Sequence, residues 1–324
     1  MLAKRGGCKM ILRKLKKSLV LQKYDAIIPR LRLNFPHLQE IEREQALRLK
    51  GYKGEKAVEY HLDFLAVDAT ILHDVCLTVM GKQFQIDNIV VTSHGIFPVE
   101  SKNYSGTITF DTVLKQLIRE NGMKETGYDY PVTQAELQKF KLQMWLQERN
   151  LQNIQIHPLV AISDPGTIIK VKGEKCEIAK AVAHGAHIPG MVIQKNNDYK
   201  EKHAKISAEK IGRAILKECK EFDMDVMANH GIKATDILPG VQCPACGRLG
   251  MKRGYGKWAC ERCFTLSKNA HLKAIADYLL LIKPWINNKE AMRFLNINCK
   301  SLANRILKSS GLSYEKEFKR WAKK

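Results

Sequence analysis

The chain has 324 residues, enough for two or three domains with at least one well-buried core, and its 45% hydrophobic and 27% charged residues suit a soluble globular protein. Lys and Arg outnumber Asp and Glu by 54 to 33, and the net charge of +21 favours a polyanionic partner, nucleic acid first, over an acidic lipid surface. No apolar run reaches the roughly 20 residues of a membrane span, and Lys14, Lys16 and Lys17 break the segment where a signal peptide would need its apolar core, so a cytoplasmic chain with no membrane partner is expected.

The first 33 residues carry ten basic side chains against Asp25 alone and read as a basic arm or peripheral helix, taken as residues 1–35 because Pro36 marks a break. Leu38, Ile41, Ala46 and Leu47 have helical spacing over 38–49. Ala57, Val58, His61, Leu62 and Leu65 resume it over 55–65, beyond Gly51 and Gly54, which are expected to interrupt the helix. Strand character follows at 70–79, 83–92 and 95–101, with turns at Gly81 and at Ser93-His94-Gly95. Ile86, Ile89, Val90 and Val91 mark the second strand as central.

A short strand at 106–110 is compatible with the pattern. After Pro131, Leu137, Phe140, Lys141, Met144 and Trp145 predict a long helix over 132–149. Strands at 157–163 and 167–171 and a helix at 205–222 complete an α/β core with a mixed sheet, while 173–199 has no clear pattern.

The acidic side chains of this core are unevenly placed. Asp87 stands in Gln85-Ile86-Asp87-Asn88, and Glu100 and Lys102 in Val99-Glu100-Ser101-Lys102-Asn103. Alternation along a strand puts Glu100 and Lys102 on one face, and pairing through the Ser93–Gly95 turn would bring Asp87 beside them. Carboxylates in apolar strands are costly unless a cation compensates them. Mg²⁺ or Mn²⁺ held by Asp87, Glu100 and the Ser101 carbonyl, with Lys102 orienting or deprotonating water, is the set that phosphodiester hydrolysis needs. The plainer reading is a surface salt bridge between Glu100 and Lys102, with Asp87 capping a turn.

Gly54-Glu55, Gln85-Ile86-Asp87-Asn88-Ile89-Val90-Val91-Thr92, Gly95-Ile96-Phe97-Pro98-Val99-Glu100-Ser101-Lys102-Asn103 and Gly106, in this order, resemble the NERD (nuclease-related domain) family of PD-(D/E)-x-K nucleases over roughly 50–160. The resemblance implies a restriction-endonuclease-like mixed sheet flanked by helices. It also implies that Glu55 joins Asp87 and Glu100 as ligands and that Lys102 is the catalytic lysine. Gln134, in Pro131-Val132-Thr133-Gln134, resembles the family's glutamine facing the site; otherwise it is an exposed helical residue. Ser101 and Pro98 depart from the usual pattern without removing a catalytic group.

Of nine cysteines, Cys243-Pro244-Ala245-Cys246 and Cys260-Glu261-Arg262-Cys263 form two knuckles whose spacing closes a structural Zn²⁺ site. Cys8, Cys76, Cys176, Cys219 and Cys299 have no ligand spacing. The ribbon is similar to those ending some type I topoisomerases. Lys252, Arg253, Tyr255, Lys257 and Trp258 either meet nucleic acid or, for Tyr255 and Trp258, pack a small core. Beyond it, 268–324 hold thirteen basic residues against four acidic ones. Helices are predicted at 270–282, 288–295 and 300–308, the last two as a helix-turn-helix presenting Ser301, Asn304, Arg305 and Lys308, or else as a small bundle with a solvated basic face.

The expected organisation is an arm at 1–35, a nuclease-like domain at 36–235, a zinc ribbon at 240–267 and a basic helical module at 268–324. Two functions fit: a metal-dependent nuclease, with DNA the expected substrate, or a non-catalytic nucleic-acid-binding protein on a nuclease scaffold.

Overall fold

A computed structural model describes residues 9–65 and 67–323; Cys8, with the rest of 1–8, lies outside the described residues. The chain first forms β1 (Lys9–Arg13), α1 (Leu19–Ile27), α2 (Leu38–Leu62), β2 (Ala69–Val79), β3 (Lys82–Thr92), β4 (Ile96–Lys102), β5 (Thr107–Asp111), β6 (Gln116–Asn121) and β7 (Lys124–Asp129). Next come α3 (Pro131–Gln147), β8 (Leu159–Ile162), β9 (Ile168–Lys172), α4 (Lys175–Ala181), β10 (Val182–His184), α5 (Ile188–Lys200) and α6 (Ala208–Glu218). The remainder is α7 (Val226–Asn229), β11 (Lys252–Arg253), β12 (Trp258–Ala259), β13 (Leu266–Ser267), α8 (Ala270–Leu281), β14 (Trp285–Ile286), α9 (Asn288–Leu295), α10 (Lys300–Ser309), β15 (Ser313–Glu315) and β16 (Arg320–Ala322). Two compact units result, 9–17 with 48–222, and 18–47 with 223–323.

The first unit is built on a six-stranded mixed sheet of order β1-β2-β3-β4-β8-β10. β2, β3 and β4 run antiparallel, while β1, β8 and β10 add in parallel. α3 and α6 cover one face, packing Leu142, Trp145, Ile211 and Ile215 on Ile86, Ile89 and Val91. α2 and α5 cover the other, packing Val58, Leu62, Ile188 and Val192 on Ile71, Val90 and Phe97. Burial on both faces is why β3 and β4 read as nearly continuous apolar runs.

A second sheet, β7-β6-β5-β9, flanks the first. Its β6–β7 hairpin escapes the sequence pattern because every residue of β7 is exposed and no alternation survives; the Asn121-Gly122 turn was its one signal.

Two expectations are corrected. Residues 9–33 are not an arm or a peripheral helix: β1 joins the sheet edge, and α1 buries Val20, Tyr24 and Ile27 in the core of the second unit. α2 is continuous through Gly51 and Gly54. Each glycine costs a helix about 1 kcal/mol, but Gly54 sits at a close approach. A Cβ there would lie 2.7 Å from Asn103 Cβ and 2.8 Å from Ser163 Oγ. The glycine therefore lets α2 press against the end of β4.

The second unit gathers the ribbon and the C-terminal helices on one core, with Trp258, Ile275, Phe294, Leu295 and Leu307. Arg30, 1% exposed, doubly hydrogen-bonds Asp277 on α8 at 2.9 and 3.0 Å and donates to the carbonyls of Leu238 and Gly240. Burial depresses its pKa against the pull of Asp277. So thorough a pairing is what makes a buried guanidinium tolerable. Among the described residues no helix is long and apolar enough to cross a membrane.

Candidate active site and metal centre

β3 and β4 pair with Asn88 opposite Val99 and Ile89 opposite Pro98, which carries Asp87 beside Glu100 at the sheet's end. Glu100 is 4% exposed. Its Oε1 accepts from Lys102 Nζ at 2.7 Å and from Gln134 Nε2 at 2.6 Å, and its Oε2 accepts from Gln138 Nε2 at 2.6 Å. Lys102 Nζ also donates to Gln134 Oε1 at 2.8 Å. The strand alternation that puts Glu100 and Lys102 on one face aims both at α3, which supplies the two glutamines. Pro98 sits within β4 without disrupting it.

Asp87 reaches this group through the backbone: its Oδ2 accepts the Ser101 N–H at 2.8 Å. Glu55, brought in by the close approach at Gly54, makes no side-chain hydrogen bond among the described residues but feels the charges of Asp74 and Glu100. Burial first, and those charges next, push the Glu55 carboxyl up to about 7. Asp87 is driven well above the carboxylate range by burial, then by Glu100 and Glu55, with the Ser101 amide and Lys102 opposing. Burial works against the Lys102 ammonium, but Glu100 outweighs it and its pKa moves upward.

These carboxylates are not drawn into a tight cage. Among the described residues, only Cys243, Cys246, Cys260 and Cys263 bring three or more metal-type donors within 4.8 Å of one another. Three like charges with a single ammonium keep their distance. The donor set still fits a hard cation: carboxylate and carbonyl oxygens are the ligands Mg²⁺ and Mn²⁺ take. The buried Gln138 Oε1 beside them has no hydrogen-bond partner among the described residues.

The glutamine at 138 was missed from sequence, although it lies one helical turn beyond Gln134 and so shares its face. Asp74 had no signal at all. It takes φ of 52° on β2, is held by Gln85 Nε2 at 2.7 Å and Arg13 Nη2 at 3.3 Å, and adds to the negative field on Glu55. Behind the site, Asn88 donates to Ser101 Oγ at 3.0 Å and meets buried His73 Nδ1 at 2.7 Å, which fixes the strand that carries Ser101.

The Glu55 shift has a measurable consequence. A carboxyl near 7 when folded and about 4.3 when unfolded binds its proton more tightly in the folded state. Its contribution is therefore present at low pH and lost as pH rises between those values, a swing of roughly 4 kcal/mol. Without divalent cation, Glu55→Gln should melt several degrees above wild type at pH 8, a gap that closes toward pH 5; calorimetry giving a less stable variant at pH 8 would refute the electrostatic assignment.

In the second unit the four thiols converge, Cys243 Sγ to Cys263 Sγ at 3.5 Å and Cys246 Sγ to Cys260 Sγ at 3.6 Å. A tetrahedron with metal–sulfur bonds of about 2.3 Å has edges of about 3.8 Å, so the cluster has the dimensions of a structural zinc ribbon. Trp258 does not face solvent as a base-stacking ring would. It is fully buried, and its Nε1 donates to His271 Nδ1 at 3.0 Å, so it fills the ribbon's core. Lys252, Tyr255 and Lys257 are exposed, as are Arg305 and Lys308 on α10.

Residues 50–163 match the family model of the nuclease-related domain, NERD, and this segment carries every acidic-site residue named above except Arg13. An uncharacterized protein of Bacillus anthracis is 31% identical over 126 residues, covering 37% of this chain and 59% of the relative. The chain thus spans about three fifths of the curated relative it matches. No solved structure gives a significant match.

Proposed function

We propose that the first unit is a metal-dependent phosphodiester hydrolase acting on nucleic acid, with DNA as substrate. Glu55, Asp87, Glu100 and the Ser101 carbonyl would hold Mg²⁺ or Mn²⁺, which when bound supplies an acidified water and neutralises charge on the phosphate. The observation that carries the reading is the buried Glu100. It is tied at once to Lys102, Gln134 and Gln138, with Asp87 one amide away.

In the chain's own chemistry, Glu100 keeps Lys102 an ammonium. A charged amine at that place orients the attacking water and steadies the developing phosphate charge. Gln134 bridges Glu100 and Lys102 and holds the amine in line; it also borders a groove of about 800 Å³ lined by Tyr128, Tyr130, Leu114 and Leu137 along which a strand can approach. Cys243, Cys246, Cys260 and Cys263 would hold Zn²⁺ for structure alone, since four thiolates leave no open position.

The test is incubation of zinc-loaded protein with labelled single-stranded, duplex and flapped DNA and RNA, with and without Mn²⁺. Cation-dependent cleavage of a DNA substrate is expected. Binding without cleavage under every condition would replace this reading by the non-catalytic one.

A further inference from the structure

Residues 268–324 hold more than the three predicted helices. Between α8 and α9 lies β14, which pairs with β16, and the other edge of β16 carries β15. The order helix, strand, helix, helix, strand, strand is a helix-turn-helix with an added hairpin, a wing. The turn between α9 and α10 is set by Asn296 in the left-handed region, φ 54°, after a capping box of Asn287 and Glu290. The strands of the wing are two or three residues long, too short to leave a period in the sequence.

α10 buries Ala303, Ile306 and Leu307 and presents Lys300, Ser301, Asn304, Arg305 and Lys308 on its outer face. From 291 to 314 the sequence has no acidic residue. The wing tip exposes Lys316, Phe318 and Lys319, and neither lysine pairs with a carboxylate among the described residues, in contrast to Arg320, which meets Glu315.

The ribbon adds a further cation to this face. Arg253 on β11 lies with its guanidinium 5.3 Å from the Trp258 ring centroid. Its Nη1 is buried without a hydrogen-bond partner among the described residues. Burial first, and the charge of Arg305 on α10 next, lower the Arg253 pKa. Neither Arg253 nor Arg305 forms a salt bridge among the described residues, and two cations that repel one another are stabilised by a bound anion, for which the planar fork of arginine suits a phosphate.

We propose that this face binds duplex DNA, with α10 in the major groove, one backbone phosphate between Arg253 and Arg305, and the wing lysines on the neighbouring strand. An α-helix fits the B-form major groove, whereas that of an RNA duplex is too deep and narrow to be read, and a single strand offers no groove. The inference shares a nucleic-acid partner with the proposed function but stands on the second unit alone, so it holds whether or not the first unit cleaves.

The test is fluorescence anisotropy of the full zinc-loaded chain without Mg²⁺ or Mn²⁺, on a labelled 20-base-pair DNA duplex, its single strand and the matching RNA duplex. The DNA duplex should bind at least tenfold tighter than either competitor. Arg305→Ala and Arg253→Ala should each lose about tenfold and flatten the salt dependence by about one ion. Lys316→Ala with Lys319→Ala should lose less, and Lys217→Ala on α6 nothing. Zinc content and circular dichroism check that each variant is folded; Arg305 is exposed, so its loss should not disturb the core. Equal affinity for single strand or RNA duplex, or folded Arg305→Ala and Arg253→Ala variants binding within twofold of wild type, would overturn the proposal. Cleavage of short oligonucleotides that survives Arg305→Ala would leave the hydrolase reading intact in either case.

Discussion

Asp87→Ala is expected to lower cation-dependent cleavage by about 10³-fold or more while leaving DNA affinity within about twofold. Asp87 is a carboxylate at a sheet end already crowded by Glu100 and Glu55. Its removal relieves that repulsion, so the variant should fold at least as well as wild type. It also accepts the Ser101 amide, a role that asparagine can keep. Asp87→Asn therefore separates charge from structure: it should retain the strand geometry and still lose cleavage. Lys102→Ala should lose a similar factor, because among the described residues no other amine is hydrogen-bonded to Glu100. Gln134→Ala should lose less, about tenfold, since Gln138 still holds the other oxygen of Glu100. An Asp87→Asn protein that cleaves at the wild-type rate would remove Asp87 from the chemistry.

Cys243→Ser is expected to reduce zinc from about one ion per chain to near none by elemental analysis and to unfold the ribbon. Structural zinc binding is worth roughly 10–16 kcal/mol in small ribbons and fingers, more than a three-stranded sheet of two-residue strands can replace. Cys243 and Cys260 are buried in the same core as Trp258, Phe294 and Leu307, so the loss should spread into α8–α10. Trp258, now sealed beside His271, should shift its emission to the red. Full zinc retention by the variant would contradict the ligand assignment.

Much of the first unit was legible because its strands obey simple rules. β2, β3 and β4 fall within a residue or two of the spans their apolar content predicts, and the Glu100–Lys102 alternation read from sequence is the one that faces α3. The ladder between β3 and β4 then follows from the short turn at 93–95. What stayed hidden depends on tertiary context. The continuity of α2 rests on packing at Gly54 that propensity alone opposes. The role of Asp74 rests on a left-handed residue inside a strand. The incorporation of α1 rests on a core for Val20, Tyr24 and Ile27, and the turn after it on Arg30 finding Asp277, a residue 247 positions away. Trp258 could be read either as a stacking platform or as core, and only the position of His271 decides it.

Hydrolysis by the first unit requires that the oxygen donors at the end of β3 and β4 hold a hard cation, and binding of Mn²⁺ followed by electron paramagnetic resonance measures that without any substrate. Zinc-loaded wild-type protein at pH 8 should take up Mn²⁺ in stoichiometric amount, more weakly at pH 6 where the Glu55 carboxyl holds its proton, and Asp87→Asn should weaken it by tenfold or more. Mn²⁺ uptake that is absent in the wild type, or unchanged in Asp87→Asn, would contradict it.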